Sequence, residues 1–174
     1  LRLQIKQQFG TYVSPAQVEA LQKDPTLLRL GGSTKQLTFL FSDIRGFTPI
    51  SEFYQSDPQK LVALVNRFLT NQSDIIMKYE GTIDKYMGDC IMAFWNAPLD
   101  VEDHARKATE AALEMRLALE ELNNALRNEG SPEIHTGVGI NTGPCVVGNM
   151  GSDSRFDYSV LGDAVNLAAR LESS

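Results

Sequence analysis

The amino-acid sequence predicts an α+β domain: an antiparallel sheet with helices packed on one face. Three observations carry that prediction. Short runs of β-branched and aromatic residues alternate with longer stretches whose apolar residues recur every three or four positions. Two of the short runs are separated only by Gly88-Asp89, a pair that favours a tight hairpin turn. The elements come in the order strand, helix, hairpin, helix, strand, with a further hairpin and a last helix appended.

The opening segment, residues 1–34, reads as a connector. Its apolar residues Leu3, Ile5, Phe9, Val13, Val18, Leu21 and Leu27 sit in helical stretches broken by Gly10, Pro15 and Pro25, and Gly31-Gly32-Ser33 forms a joint. The compact domain, 35–174, begins with the buried strand Leu37-Thr38-Phe39-Leu40-Phe41. Asp57 as N-cap and Pro58 in the first turn open a helix carrying Leu61, Leu64, Val65, Phe68, Leu69, Ile75, Ile76 and Tyr79, which Gly81 is expected to end. The hairpin strands are Thr82 to Met87 and Cys90 to Trp95. From Val101 to about Leu126, Ala108, Ala111, Ala112, Met115, Leu119 and Leu122 mark a long amphipathic helix closed by Asn128-Glu129-Gly130. Strands follow at Ile134 to Ile140, Cys145 to Val147 and Phe156 to Leu161, and Asp163 begins a helix with Ala164, Val165, Leu167, Ala168 and Leu171. That order is the βαββαβ plan of ferredoxin-like domains. The first strand should lie centrally beside the hairpin.

Composition narrows the function. With 174 residues, 43% hydrophobic and 22% charged, the chain has material for one domain with a real core. A net charge of -6 and no basic block argue against a nucleic-acid partner. Cys90 and Cys145 lie among apolar residues and read as reduced thiols of a cytoplasmic setting. No apolar run nears the ~18 residues that span a bilayer, and no signal core is present at the start. Both ends fall mid-pattern, which reads as a piece of a larger protein with the domain C-terminally incomplete.

The chemistry concentrates around two acids. Asp43 follows an apolar strand and precedes Gly46-Phe47-Thr48, where a glycine and backbone amides suit a metal ligand backed by phosphate contacts. Alone, Asp43 reads rather as a solvated strand-end residue. Asp89, at the tip of the neighbouring hairpin, changes that reading, because the fold plan brings both carboxylates to one edge. Two carboxylates with positions left for water and phosphate oxygens suit Mg²⁺ or Mn²⁺. No Gly-x-x-x-x-Gly-Lys-Ser/Thr loop occurs, which excludes a P-loop ATPase. His104 and His135 lack the company of a zinc site and read as structural. Gly137-x-Gly139 reads as close strand packing rather than a phosphate cradle.

Three segments then resemble the signature blocks of class III adenylate and guanylate cyclases. They are Phe41-Ser42-Asp43-Ile44-Arg45-Gly46-Phe47-Thr48, Asp84-Lys85-Tyr86-Met87-Gly88-Asp89, and Leu161-Gly162-Asp163-Ala164-Val165-Asn166-Leu167-Ala168-Ala169-Arg170-Leu171. The resemblance runs from about Lys35 to the C-terminus and implies a nucleotidyl cyclase fold. Upstream, Phe9-Gly10-Thr11-Tyr12-Val13-Ser14-Pro15 resembles the connector of bacterial cyclases that follow a membrane-anchored sensor.

The resemblance implies roles position by position. Asp43 and Asp89 would bind two divalent ions, Mg²⁺ or Mn²⁺, with the Ile44 carbonyl as a further contact. Gly46, Phe47 and Thr48 would face the substrate phosphates, and Arg155 would be a further phosphate contact. Lys85 would read the purine: its ammonium can donate to N1 of adenine, whereas guanine carries N1–H and calls for an acceptor such as Glu. Ser159 takes the second base-reading position, where many adenylate cyclases have Asp and a subgroup has Thr. Asn166 would hold the ribose, and the planar guanidinium of Arg170, four residues on, would stabilise charge at the α-phosphate. The implied reaction converts ATP to 3′,5′-cyclic AMP and pyrophosphate at sites shared across a homodimer. Members of the family continue into further strands bearing a triphosphate-binding Lys, which falls beyond Ser174. Two alternatives stand beside this reading, a guanylate cyclase and a non-catalytic nucleotide-binding or dimerisation module.

Overall fold

The structure, a computed structural model, describes residues 15–24, 32–152 and 155–174. Its elements are α1 (Pro15–Lys23), β1 (Ser33–Arg45), α2 (Phe47–Phe53), α3 (Pro58–Lys78), β2 (Thr82–Met87), β3 (Cys90–Trp95), α4 (His104–Asn128), β4 (His135–Ser152), β5 (Arg155–Leu161) and α5 (Asp163–Ser173). The five strands form one antiparallel sheet in the order β2-β3-β1-β4-β5. This is the expected βαββαβ core with β1 central, and β5 and α5 appended. Of the connector-like segment, the stretch from Phe9 to Ser14 lies outside the described residues, while Val18 and Leu21 of α1 are buried.

Local chemistry sets the element ends. The Asp57 side chain accepts from the Lys60 amide and Pro58 opens α3, as the sequence predicts. At the other end the left-handed residue is Glu80, not Gly81. Gly81 is required for space instead: a Cβ there would press on Ile76 and on the indole of Trp95. α4 starts at His104 and ends with Gly130 at positive φ.

The predicted strands Ile134–Ile140 and Cys145–Val147 are one continuous strand, β4, despite Gly143 and Pro144. Pro144 is opposite Gln36, whose carbonyl accepts from Asn96 Nδ2 at 2.8 Å on the β3 side. The Gln36–Pro144 position therefore exchanges no backbone bonds, and the missing proline N–H costs the ladder nothing.

Both faces of the sheet are covered. On one, Leu40, Ile83, Ile91, Ala93 and Trp95 pack against Ile76 of α3 and Ala108, Ala111 and Met115 of α4. These two crossover helices share a face, as predicted. On the other, Leu37, Phe39, Phe41, Met92, Phe94, Cys145 and Val147 pack beneath α5 through Ala164 and Ala168. Alternation along β1 thus sends odd residues to α5 and even residues to α3 and α4. A third cluster, Ile44, Ile50, Leu64, Phe68, Leu119, Leu122, Leu126 and Ile134, seals the end where α2 lies.

Candidate active site

Asp43 is inside β1 rather than beyond it. Pairing of β1 with β3 stops at Ser42, opposite Ile91, while pairing with β4 continues through Asp43 opposite Gly137 to Arg45 opposite His135. The β2–β3 hairpin turns just where β3 leaves β1, so its tip faces Asp43. That tip is the predicted two-residue turn: Met87 pairs with Cys90, Gly88 has φ 63 and Asp89 follows. One Asp89 oxygen accepts from the Ile44 amide at 3.0 Å, which anchors the second carboxylate to the strand carrying the first.

The electrostatics are those of two acids sharing one place. The Asp43 carboxyl is pushed up to about 6, first by its hydrogen bond with Asp89, then by partial burial and by the charges of Asp89 and Glu172; the Ile44 amide pulls the other way. Burial, followed by the charges of Asp43, Glu172 and Asp89, pushes the neighbouring Cys90 thiol up to about 11. Burial alone does the same to Cys145. Both cysteines are free, as expected. His104 is structural: its Nδ1 lies 2.6 Å from Thr38 Oγ1, and burial lowers its pKa. His135 lies on the surface, 3.7 Å from Glu133.

Gly46 has φ 63 with open space about it, so its backbone angle, not packing, calls for glycine. It leads into α2, whose opening amides at Phe47 and Thr48 have no side-chain cap.

Lys85 reaches its face through a bulge. Ile83 pairs with Ala93, but Lys85 pairs with Met92, leaving Asp84 as the extra residue. Without the bulge, Asp84 would take a regular place in the ladder and Ile83 and Lys85 would share a face. With it, Ile83 enters the core under α3 and α4, whereas Lys85 joins Met92 and Phe41 on the α5 side, the face that carries Asp43. Tyr86 confirms the register, its hydroxyl lying 2.8 Å from Ser73 Oγ of α3. The Lys85 ammonium is exposed and 3.7 Å from Asp84.

Other predicted residues are not gathered at this point. Asn166 and Arg170 lie on the outer, exposed face of α5 together with Leu167 and Leu171. Ser159 is opposite Gly148 on edge strand β5, four strands from Lys85, and beside Val160, which enters the α5-side core; Ser159 therefore falls on the opposite face. Arg155 begins β5 opposite Ser152. Sequence reasoning missed Arg45 and Glu172. An Arg45 nitrogen donates to the Glu172 carbonyl and lies 3.3 Å from its carboxylate. The two are 127 residues apart, and no spacing signal could have paired them.

The donor set suits a hard divalent cation. Two carboxylates held together until one retains a proton near pH 6 form a site that positive charge would relieve. Oxygen is the only donor type converging there apart from a thiol held in its protonated form. Among the described residues no cluster of three His, Cys, Asp or Glu side chains is arranged to hold a metal ion.

The carboxylate pair thus sits at the junction of a central strand and a hairpin tip, in a sheet ordered β2-β3-β1-β4-β5. The adenylate and guanylate cyclase catalytic domain profile covers residues 32–174, and the chain belongs to that family, with the nucleotidyl cyclase fold. Among curated relatives, adenylate cyclase 1 of Rhizobium meliloti (strain 1021) is 40% identical over 138 residues, 79% of this chain and 20% of its own length. The adenylate cyclase of Anabaena cylindrica is 34% identical over 97% of this chain and 32% of its own. The chain thus spans about a fifth to a third of those relatives. Two solved structures superpose well: the adenylyl cyclase CyaB from P. aeruginosa (TM-score 0.77, 43% identity, 83% of this chain and 74% of that one) and the guanylyl cyclase Cya2 (0.76, 42%, 83% and 72%). Similarity of this degree to both an adenylyl and a guanylyl cyclase assigns the class but not the base. Among the described residues no helix is long and apolar enough to cross a membrane.

Proposed function

We propose that the domain is an adenylate cyclase, converting ATP to 3′,5′-cyclic AMP and pyrophosphate at sites shared by two copies of the chain. The observation that carries this is the Asp43–Asp89 pair, locked by the Ile44 amide at the hairpin tip. Asp43, Asp89 and the Ile44 carbonyl would hold Mg²⁺ or Mn²⁺, two ions per site. When bound, such ions lower the pKa of a hydroxyl and neutralise phosphate charge.

The remaining steps belong to the chain. The uncapped amides of Phe47 and Thr48, brought round by Gly46, point donors at phosphate oxygens, and Arg155 adds a cation. Lys85 donates to adenine N1. Asn166 holds the ribose so that its 3′-hydroxyl lies in line with the α-phosphate and the departing pyrophosphate. Arg170 spreads two or more donors over the charge that develops there.

Two copies are required because one chain splits these groups. Asn166 and Arg170 point outward from α5, whereas Asp43 lies on the sheet face that α5 covers. Leu167 and Leu171, exposed beside them, suit burial by a partner. In a homodimer, Asp43 and Asp89 of one copy would meet Lys85, Asn166 and Arg170 of the other. Residues 1–34 would link the domain, 35–174, to an upstream membrane-anchored sensor, with catalysis in the cytoplasm.

Incubation of the full-length protein with ATP or GTP and either metal, followed by identification of the product, tests the assignment. Cyclic AMP is expected. Cyclic GMP alone would overturn the role of Lys85 and support the guanylate reading that the Cya2 likeness keeps in view. Nucleotide binding without any cyclic product would make the domain a regulatory module. Mixing Asp43→Ala with Asn166→Ala chains, each inactive alone, should restore one working site per dimer; no recovery would sink the shared site.

A further inference from the structure

We infer that Arg45 and Glu172 are positioning residues that fix α5, and with it Asn166 and Arg170, to the strand that carries Asp43. The inference deepens the proposed shared site and rests on it. Arg45 ends β1 on the α5 face, two residues from Asp43 and in phase with it. Its guanidinium lies over Gly137 of β4, where a Cβ would collide with it. From there Nη2 donates to the Glu172 main-chain oxygen and stands 3.3 Å from Oε1.

Each partner answers a need of the other. Carbonyls in the last turn of a helix lack intrahelical donors, and a cation there also opposes the helix dipole. Arg45 supplies both from another element. The Glu172 side chain is only 9% exposed, and its Oε1 makes no hydrogen bond among the described residues, so the ion pair with Arg45 balances a nearly buried charge. Two residues along β4, a Cβ at Gly139 would collide with the α5 backbone at Ala168 and Glu172. The paired glycines of β4 thus make room for the clamp and for the helix it holds. Gly137-x-Gly139 is a packing device, as the sequence reading has it, and the guanidinium is one of the things packed.

The clamp ends one turn or less from Arg170. In a shared-site dimer the Asp43 end of one chain serves one site while its α5 serves the other. Loss of the clamp should therefore harm the site served by α5 more than the site served by Asp43.

The complementing mixture separates the two. Arg45→Ala placed in the Asp43→Ala chain, whose α5 serves the surviving site, should lower kcat about tenfold with KM for ATP changed less than about threefold. Placed in the Asn166→Ala chain, it should lower kcat less than about threefold. Gly137→Ala, which displaces the guanidinium without removing it, should show the same asymmetry, and Arg45→Lys should restore part of the loss. In the otherwise unaltered chain, Arg45→Ala should speed hydrogen exchange at the α5 amides, residues 163–173. Equal losses from both placements, no loss from either, or unchanged exchange in α5 would overturn the proposal. A parent mixture that recovers no activity would overturn the shared-site reading, and this inference with it.

Discussion

The two faces of the sheet are built from the same strands to opposite ends. Against α3 and α4, helices of 21 and 25 residues, the sheet presents an apolar surface along its length; of its buried polar residues Thr38 is bonded, while Ser42 Oγ has no partner among the described residues. Thr38 meets His104 at 2.6 Å and Thr142 at 2.8 Å, and Gln72 donates to the Met115 carbonyl at 3.1 Å. Against α5, a helix of 11 residues, the apolar surface of Leu37, Phe39 and Phe41 gives way at once to Asp43 and Arg45. One face closes and the other stays open at the carboxylates. Residues one apart in β1 therefore serve different ends, packing on the even side and chemistry at the end of the odd side.

The sharpest way to break this contrast is Asp43→Asn. Cyclase activity should fall at least ~100-fold, because a group that sets charge at the reacting centre is lost. The metal-free chain should nonetheless melt no lower at pH 7 than the parent, since the change removes a repulsion. A clear drop in Tm would show that Asp43 belongs to the fold as much as to the site.

Leu40→Ala is the counterpart on the even side. Leu40 is fully buried under α3 and α4, and truncation should cost about 2–5 kcal/mol by chemical denaturation. kcat per folded molecule should stay within about twofold if the faces are independent. A smaller disturbance comes from Gly139→Ala, whose Cβ would strike the α5 backbone; it should cost about 1–3 kcal/mol and reduce activity beyond its effect on folding.

The gentlest probe is pH. The folded chain raises the Asp43 pKa from 3.8 to about 6, so the folded state holds that proton more tightly than the unfolded chain does. The associated stability is full below about pH 4 and is lost as pH rises through 6. Tm of the metal-free protein should decline across that window, Mg²⁺ should offset the decline above it, and Asp43→Asn should remove it. A flat profile in the parent would place Asp43 and Asp89 farther apart than the structure has them.

What the sequence disclosed was mostly what local chemistry decides. Asp57-Pro58 and Gly88-Asp89 act through their own backbones, so the start of α3 and the hairpin turn were legible, as was the element order that puts β1 at the centre. Gly81 was misread as a helix stop because a glycine chosen for lack of volume looks the same in sequence as one chosen for positive φ. The continuity of β4 was hidden because Pro144 falls at a position where the Gln36 carbonyl faces β3 and not β4, a tertiary circumstance. At the site, Asp43 and Asp89 were legible as a pair because the fold plan brings their elements together. Arg45 with Glu172 was not, because their meeting depends on which face α5 covers.

The bulge at Asp84 bears on how such a domain can change its nucleotide. Drawing Asp84 into the ladder as a regular residue would set Lys85 opposite Ile91 and swing the ammonium beneath α3, away from the open face, whereas deleting Asp84 would leave Lys85 opposite Met92. On the proposed reading, base preference is then written in the register of a strand as well as in a side chain.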